Sequence, residues 1–370
     1  MSVRIPFIDL SPQTRAVADE FVSAVRQLTL ENRFIGGHPV ETFERRFAEF
    51  CGAAHCVALN SGTDALRFAL LEAGVGAGDE VITSPFTFIA TTEIISQIGA
   101  RAVLADVDPR TYNLDPQAME SRITSRTKAI LPVHIFGLAA DMEKLHFVAL
   151  QNGLRVIEDA SQAHGAEIAG QRAGTFGRSA AFSFYPTKNL GAFGDAGALT
   201  CNDPETADHV RLLRNHGQDG YYTHRFEGYN SRMDALQAAL LILKLEHLEG
   251  WIEERRRIVS LYREGLQDLP QICFQSEPQR FRHCYHIAAA LAERRDQLIE
   301  ALSEKGIEAK VVYPIPLHLQ RACARWGHRK GDFPAAEKVS DNVICLPVYP
   351  GLAESRVHEV VEAVREFYAG

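Results

Sequence analysis

The chain has no basic excess: 39 lysines and arginines stand against 47 acids, for a net charge of −8. Non-specific nucleic-acid binding needs a basic field that displaces counterions, so this balance argues against that class of function. It leaves room for a local pocket that takes a phosphorylated ligand. Long apolar runs are missing as well, and none approaches the roughly 20 residues that span a bilayer. The most apolar stretch, Met233 to Leu248, contains Asp234, Gln237, Lys244 and Glu246 and reads as a buried amphipathic helix. Seven scattered cysteines form no C-x-x-C pair, which argues against a zinc ribbon and a disulfide framework. His283-Cys-Tyr-His286 has no acids at ligand spacing, reads as packing, and gives no reason to expect a metal. The opening residues reach Pro6 and Asp9 too early for a secretory signal, so a reduced, cytoplasmic protein is expected.

What is present is an ordinary globular composition, 46% hydrophobic and 23% charged. At 370 residues, about two domains are expected. From about residue 40 to 245 short β-rich runs alternate with helical patterns. Strand-like Cys56–Leu59, Glu80–Thr83, Ala102–Ala105, Ala129–Val133, Arg155–Glu158 and Ala180–Tyr185 are separated by helix-like Thr63–Ala73, Ala90–Ile98 and Met142–Gln151. That alternation predicts an α/β fold with a mainly parallel sheet and crossover helices. A long helix pair is expected over about 232–268. Beyond it the texture predicts a smaller α+β unit, with a strand at Tyr285–Leu291, a helix at Arg295–Lys305, a run at Ala309–Tyr313 and a terminal helix at Glu354–Tyr368. The expected domains are 1–250 and 251–370.

Two glycine clusters differ in polarity. Gly74-Val-Gly76-Ala-Gly78 follows a helix and precedes a strand, the reverse of a dinucleotide fingerprint, so it reads as a helix stop and turn. No G-x-x-x-x-G-K-[ST] exists, which removes the P-loop enzymes. Asn60-Ser61-Gly62-Thr63 runs strand, glycine, helix, and would offer an anion the N–H groups of Gly62 and Thr63. The same residues also serve as a plain helix cap. Asp159 ends an apolar strand, where open α/β sheets bind ligands, though such acids also cap helices. Lys188 sits in Ser183-Phe-Tyr-Pro-Thr-Lys-Asn-Leu-Gly191. Enclosure there lowers an amine's pKa and suits Schiff-base chemistry, while a structural lysine is the plain alternative. An anion cradle, an acid and an enclosed amine at strand ends of one sheet are together what pyridoxal 5'-phosphate needs.

The segments NSGTDAL, GDEVITSPFTFIAT, YNLDP, KAILPVHIFG, VIEDASQAHGA, FSFYPTKNLGAFGDAGAL, LRNHGQ, GYNSRMDALQAA and VYPIPLHLQ run in order over about 300 residues. In them the chain resembles the DegT-type sugar aminotransferases, pyridoxal-phosphate enzymes of the aspartate aminotransferase fold (fold type I). The resemblance implies that Lys188 holds the cofactor and moves the proton, that Asp159 pairs with the ring nitrogen, and that Gln162 lies near the ring hydroxyl. It implies that Phe88 stacks on the ring, and that Gly62, Thr63 and Ser183 bind the phosphate, joined by Asn230 from the neighbouring subunit of a homodimer with shared active sites. Substrate contacts are implied for Tyr185, Tyr221, Arg225, Tyr313 and His318. His164 would be near the ring, with packing an equal alternative.

The implied reaction is amination of a nucleotide-linked keto-sugar by L-glutamate, for amino-sugar biosynthesis, with RNHGQDGYYTH and GYNSR favouring a 3-keto over a 4-keto substrate. Val312 stands where the family often has His, and Ser161 where it usually has Ala. Related dehydratases carry His in place of the lysine, and a non-catalytic regulatory relative would be expected to have lost Lys188 or Asp159. Both residues are present.

Overall fold

The computed structural model describes residues 3–370. Ser11–Glu31 (α1) and His38–Cys51 (α2) lead into the sheet region. There follow His55–Leu59 (β1), Gly62–Glu72 (α3), Glu80–Thr83 (β2), Ala90–Gln97 (α4), Arg101–Leu104 (β3), Pro116–Glu120 (α5) and Thr127–Leu131 (β4). Next come Met142–Gln151 (α6), Arg155–Asp159 (β5), the two-residue strands Glu167–Ile168 (β6) and Gln171–Arg172 (β7), then Ser179–Ser183 (β8), Gly197–Cys201 (β9) and Pro204–Leu213 (α7).

The main sheet has seven strands in the order β1-β9-β8-β5-β4-β2-β3. The pairs β3/β2, β2/β4, β4/β5 and β5/β8 are parallel, and β9 runs antiparallel to β8 and β1. Helices cover both faces, so the strands are buried on both sides and read as continuous apolar runs rather than alternating ones. Val156, Ile157, Ala180, Ala181 and Phe182 are all buried. The turn at Gly74–Gly78 joins α3 to β2, as its polarity requires.

Ala235–Leu266 (α8) is one continuous helix of 32 residues where a helix pair was expected. Its first half supplies Ala238, Leu241, Leu245, Leu248 and Ile252 to the core beneath the sheet. The second half supplies Ile258, Val259, Tyr262 and Leu266 to a second core. A boundary at residue 250 therefore falls inside a helix that belongs to both cores.

The second core is built on Ile272–Phe274 (β10), Ala288–Ala292 (β12) and Val343–Leu346 (β13), an antiparallel sheet ordered β10-β12-β13. Between them lie Phe281–Arg282 (β11), which pairs with β6, then Arg295–Glu304 (α9) and Pro334–Asn342 (α10), and Glu354–Ala369 (α11) closes the chain. The expected strand at 285–291 thus starts three residues later. The run 309–313 makes only an isolated bridge, Lys310 to Cys345. The N-terminal segment also departs from the expected division. Ile5 bridges to Ile307 and packs into the second core, so residues 4–7 belong structurally with the C-terminal unit.

Candidate active site

The carboxyl ends of β1, β2, β5 and β8 converge on a cavity of about 510 Å³, the position at which open α/β sheets bind ligands. Gly62, Thr63, Phe88, Asp159, Gln162, Ser183, Tyr185, Lys188 and Tyr313 line it, with Thr87, Thr91 and Ser161. Residues spread over some 250 positions of chain meet there because each follows or faces a strand end.

The anion cradle is built from tight packing. Ser61 caps α3 by accepting the Asp64 N–H at 3.1 Å, so the capping role holds. It leaves the first N–H groups of the helix, on Gly62 and Thr63, without intrahelical partners. A side chain at Gly62 would place Cβ 2.7 Å from Ser183 Cβ, and one at Gly197 would lie 2.2 Å from the Ser61 carbonyl carbon. Glycine at both positions lets helix and strands close around the cup. Ser183 Oγ accepts the Tyr185 N–H at 3.3 Å, which leaves its own proton for a ligand.

Asp159 ends β5 and is 4% exposed. Its Oδ2 accepts the Thr91 hydroxyl at 2.9 Å, and its Oδ1 accepts the Ser161 N–H at 3.2 Å. Thr91 is also 3.1 Å from Thr87 Oγ1. Because the carboxylate only accepts, Thr91 donates to Asp159 and accepts a hydrogen bond from the Thr87 hydroxyl. Neither threonine was singled out in the sequence. Thr87 lies in the irregular turn before α4 and Thr91 in the helix's first turn, so no helical periodicity marks the pair.

The neighbouring carboxylate points the other way and builds the fold. Glu158 is fully buried and accepts the N–H groups of Gly174, Phe176 and Gly177 at 2.7–2.8 Å. His134 Nε2 lies 3.0 Å from it. The Ala140 N–H donates to His134 Nδ1, so the ring proton sits on Nε2 and is given to Glu158.

Lys188 lies in the turn after β8, half-buried, and burial pushes its amine down to about 8 against the upward pull of Asp159. A substantial neutral fraction near pH 8 makes it a competent nucleophile and proton carrier. Lys244 of α8 supports the turn from beneath, donating to the Gly191 carbonyl at 2.7 Å and lying 4.6 Å from the centre of the Phe193 ring.

Other expected residues are placed differently. Phe88 lines the cavity and is 58% exposed, open to a stacking partner. His164 is buried among Phe47, Phe182 and Phe184, and burial drives its pKa down to about 3, so it is a neutral packing residue behind the cavity. His318 does not face the cavity. It is buried against Phe333 and bonds Glu337 at 2.9 Å, so a substrate contact from its ring is corrected to a structural one. Tyr221 and Arg225 lie on an exposed loop, with Arg225 paired to Asp219, and neither lines the cavity of its own chain. Asn230 Oδ1 accepts from Arg232 at 2.8 Å, also outside its own cavity. Val312 packs in an apolar cluster. His283 bonds Gln275 and stacks on Tyr285.

An enclosed lysine, a buried carboxylate and a helix N-terminus around one cavity are the donor set that pyridoxal phosphate requires, and the close-packed glycine cup leaves room for its phosphate. Fold and site define a pyridoxal-phosphate-dependent transferase of fold type I. The sequence matches the DegT/DnrJ/EryC1/StrS aminotransferase family over residues 15–365, and the chain belongs to that family. It is 41% identical over 364 residues to the dTDP-3-amino-3,4,6-trideoxy-alpha-D-glucose transaminase of Streptomyces venezuelae, covering 98% of this chain and 96% of the relative. It is 42% identical over 370 residues to a protein of Geobacillus stearothermophilus named pleiotropic regulatory protein, covering 99% of each. Among solved structures, S. venezuelae DesV in complex with a ketimine intermediate superposes with a TM-score of 0.96 at 40% identity, covering 99% of each chain. The protein is thus a pyridoxal-phosphate-dependent sugar aminotransferase. No helix among the described residues is long and apolar enough to cross a membrane.

Proposed function

We propose that this enzyme transfers the amino group of L-glutamate to the C3 ketone of a nucleotide-linked sugar, in amino-sugar biosynthesis. The observation that carries the reading is that Lys188, Asp159 and the N-terminus of α3 line one cavity. Amination at C3 is supported by the transaminase of S. venezuelae, whose product name places the amine there. The regulatory name of the G. stearothermophilus relative does not transfer, because a regulator has no need of a lysine with a lowered pKa and a buried carboxylate lining one cavity.

The bound cofactor supplies an electron sink that makes a proton on the carbon bearing the amine removable. Asp159 holds a proton on the ring nitrogen, and its two hydrogen bonds to Thr91 and Ser161 fix its direction. Lys188, once free, takes and returns the proton at the reacting carbon. Gly62, Thr63 and Ser183 bind the phosphate, with Gln162 near the ring hydroxyl, while Phe88 covers the ring. Tyr185 and Tyr313, which line the same cavity, are the substrate-contact candidates of this chain's own site. Asn230, Tyr221 and Arg225 act from a second subunit, a role supported by their places outside the cavity of their own chain. The seven free cysteines, six of them buried, suit a reducing compartment and support a cytoplasmic enzyme.

The test is incubation with L-glutamate and a panel of dTDP- and UDP-linked 3-keto and 4-keto sugars, followed by mass spectrometry. An amino-sugar and 2-oxoglutarate in equal amounts are expected with a 3-keto substrate. Amination of only the 4-keto sugars would overturn the C3 assignment, and no amination with any would overturn the reaction.

A further inference from the structure

Three of four aromatic rings packed together beside the cavity stand on unusual backbone. Tyr112, Phe136 and Tyr313 have φ of +61°, +59° and +65°, a region that residues with a side chain occupy at a cost of about 1 kcal/mol or more each. They pack on one another and on Phe86. Phe136 and Tyr313 stack at 5.9 Å, and Phe86 meets both edge-on at 5.7 Å. Strain of this kind persists only where surrounding structure dictates the geometry. Here one side chain joins two of the strained residues. Gln162 Oε1 accepts the Phe136 N–H at 2.9 Å, and Gln162 Nε2 donates to the Tyr313 hydroxyl at 3.0 Å.

The direction of that amide is forced. A backbone N–H can only donate, so the atom facing Phe136 must be the oxygen and the atom facing Tyr313 the nitrogen. Burial holds the Tyr313 phenol well above its usual range, so it is a neutral hydroxyl able to accept that bond. The second N–H of Gln162 remains for the cavity that it lines. Tyr313 comes from the C-terminal unit, in a segment tied to the large unit by the Leu317 N–H to the Pro85 carbonyl at 2.8 Å.

We propose that Tyr313 is a positioning residue that, with the Phe136 N–H, locks Gln162 so that it presents a donor, never an acceptor, to the ring oxygen of the cofactor. This rests on the reading that Gln162 faces that oxygen. A donor at a ring oxygen stabilises negative charge there and lowers the pH at which the proton shared with that oxygen leaves. Without the Tyr313 hydroxyl only the Phe136 N–H holds the amide, and its NH2 end is free to swing away from the ring oxygen.

The experiment is a pH titration of the absorbance of the bound cofactor in holoenzyme, for Tyr313→Phe, Gln162→Ala and the double variant, with thermal unfolding as a control on folding. Tyr313→Phe keeps the ring and its stacking. Its midpoint should rise by about one pH unit, the size expected for one hydrogen bond to a charged oxygen. Gln162→Ala should rise by a similar amount, and the double variant no further. If Gln162→Ala shifts the midpoint and Tyr313→Phe does not, or if the two shifts add, Tyr313 does not position Gln162. If Gln162→Ala itself leaves the midpoint unchanged, the placement of Gln162 at the ring oxygen is what fails, and the proposal falls with it. Tyr313→Leu, which removes both ring and hydroxyl, should show the same shift as Tyr313→Phe if the hydroxyl is what matters; a shift confined to Tyr313→Leu would assign the effect to packing.

Discussion

Thr91 Oγ1 reaches from α4 to Asp159 Oδ2 at the end of β5, a bond of 2.9 Å across 68 residues of chain. It is charge-assisted and buried, a kind worth about 1.5–3 kcal/mol. Thr91→Val keeps the shape and removes the donor, leaving the Ser161 N–H as the one hydrogen bond that aims Asp159. Cofactor affinity and kcat are each expected to fall by roughly tenfold, on the scale of 1.4 kcal/mol per decade. Titration of the apoenzyme with pyridoxal phosphate checks this, and unchanged values of both would show that the bond does not aim the carboxylate.

Lys188 and Asp159 should separate by how they fail. Lys188→Ala removes both covalent attachment and the proton carrier, so turnover should drop by at least roughly 10³-fold while cofactor still binds. Asp159→Asn keeps the fold but no longer holds the ring nitrogen protonated, and a loss of about 10²-fold or more is expected. Borohydride reduction followed by peptide mapping should mark Lys188 in the wild-type enzyme. Labelling at another lysine would refute the assignment.

Lys244 makes a prediction about pH and stability. Burial lowers its amine to about 8 from 10.5. Between those values the unfolded chain binds more protons than the folded one, so this residue's contribution to stability rises with pH across the window. Below pH 8 both states are protonated and the burial penalty is felt in full. The difference in melting temperature, wild type minus Lys244→Met, should therefore grow between pH 7.5 and 9.5. A constant difference would mean that Lys244 acts only as a tether for the Gly191 carbonyl.

Sharing of the site between subunits can be tested by mixing. Asn230→Asp would face the phosphate with a carboxylate, and Lys188→Ala removes the amine. If Asn230 acts on the partner's cavity, a mixed dimer has one site with both lesions and one with neither. Activity should return on subunit exchange, with about one intact site per heterodimer. No recovery in demonstrated heterodimers would place Asn230 in its own chain's site.

The sheet region was legible because parallel strands covered on both faces appear as short apolar runs, and β2, β4 and β5 are such runs. The strand, glycine and helix polarity at Ser61-Gly62-Thr63 was legible, but it left an anion cradle and a plain helix cap as equal readings, and Ser61 does cap α3. Helix α1 left little trace because only Gln13, Val17 and Leu28 of its 21 residues are buried, too thin a stripe to stand out. Thr91 was silent because a threonine in an apolar helix looks like packing until its partner, 68 positions away, is known. His318 misled for the converse reason: a polar residue beside a cavity-lining segment faces inward to Glu337, and sequence carries no sign of which way a loop turns it.

The continuity of α8 bears on how such an enzyme can be recombined. Residues on either side of 250 share one helix, and Arg255, just beyond that point, donates to the carbonyls of Tyr285 and Val348 in the C-terminal unit. A chimera joined at 250 would take the two halves of one helix from different parents, and each half would carry packing fitted to the other parent's core. The turn at Leu269–Gln271, after α8 and before β10, is the better seam. A graft made there still brings a foreign Tyr313 to a resident Gln162, so specificity and cofactor tuning would change hands together.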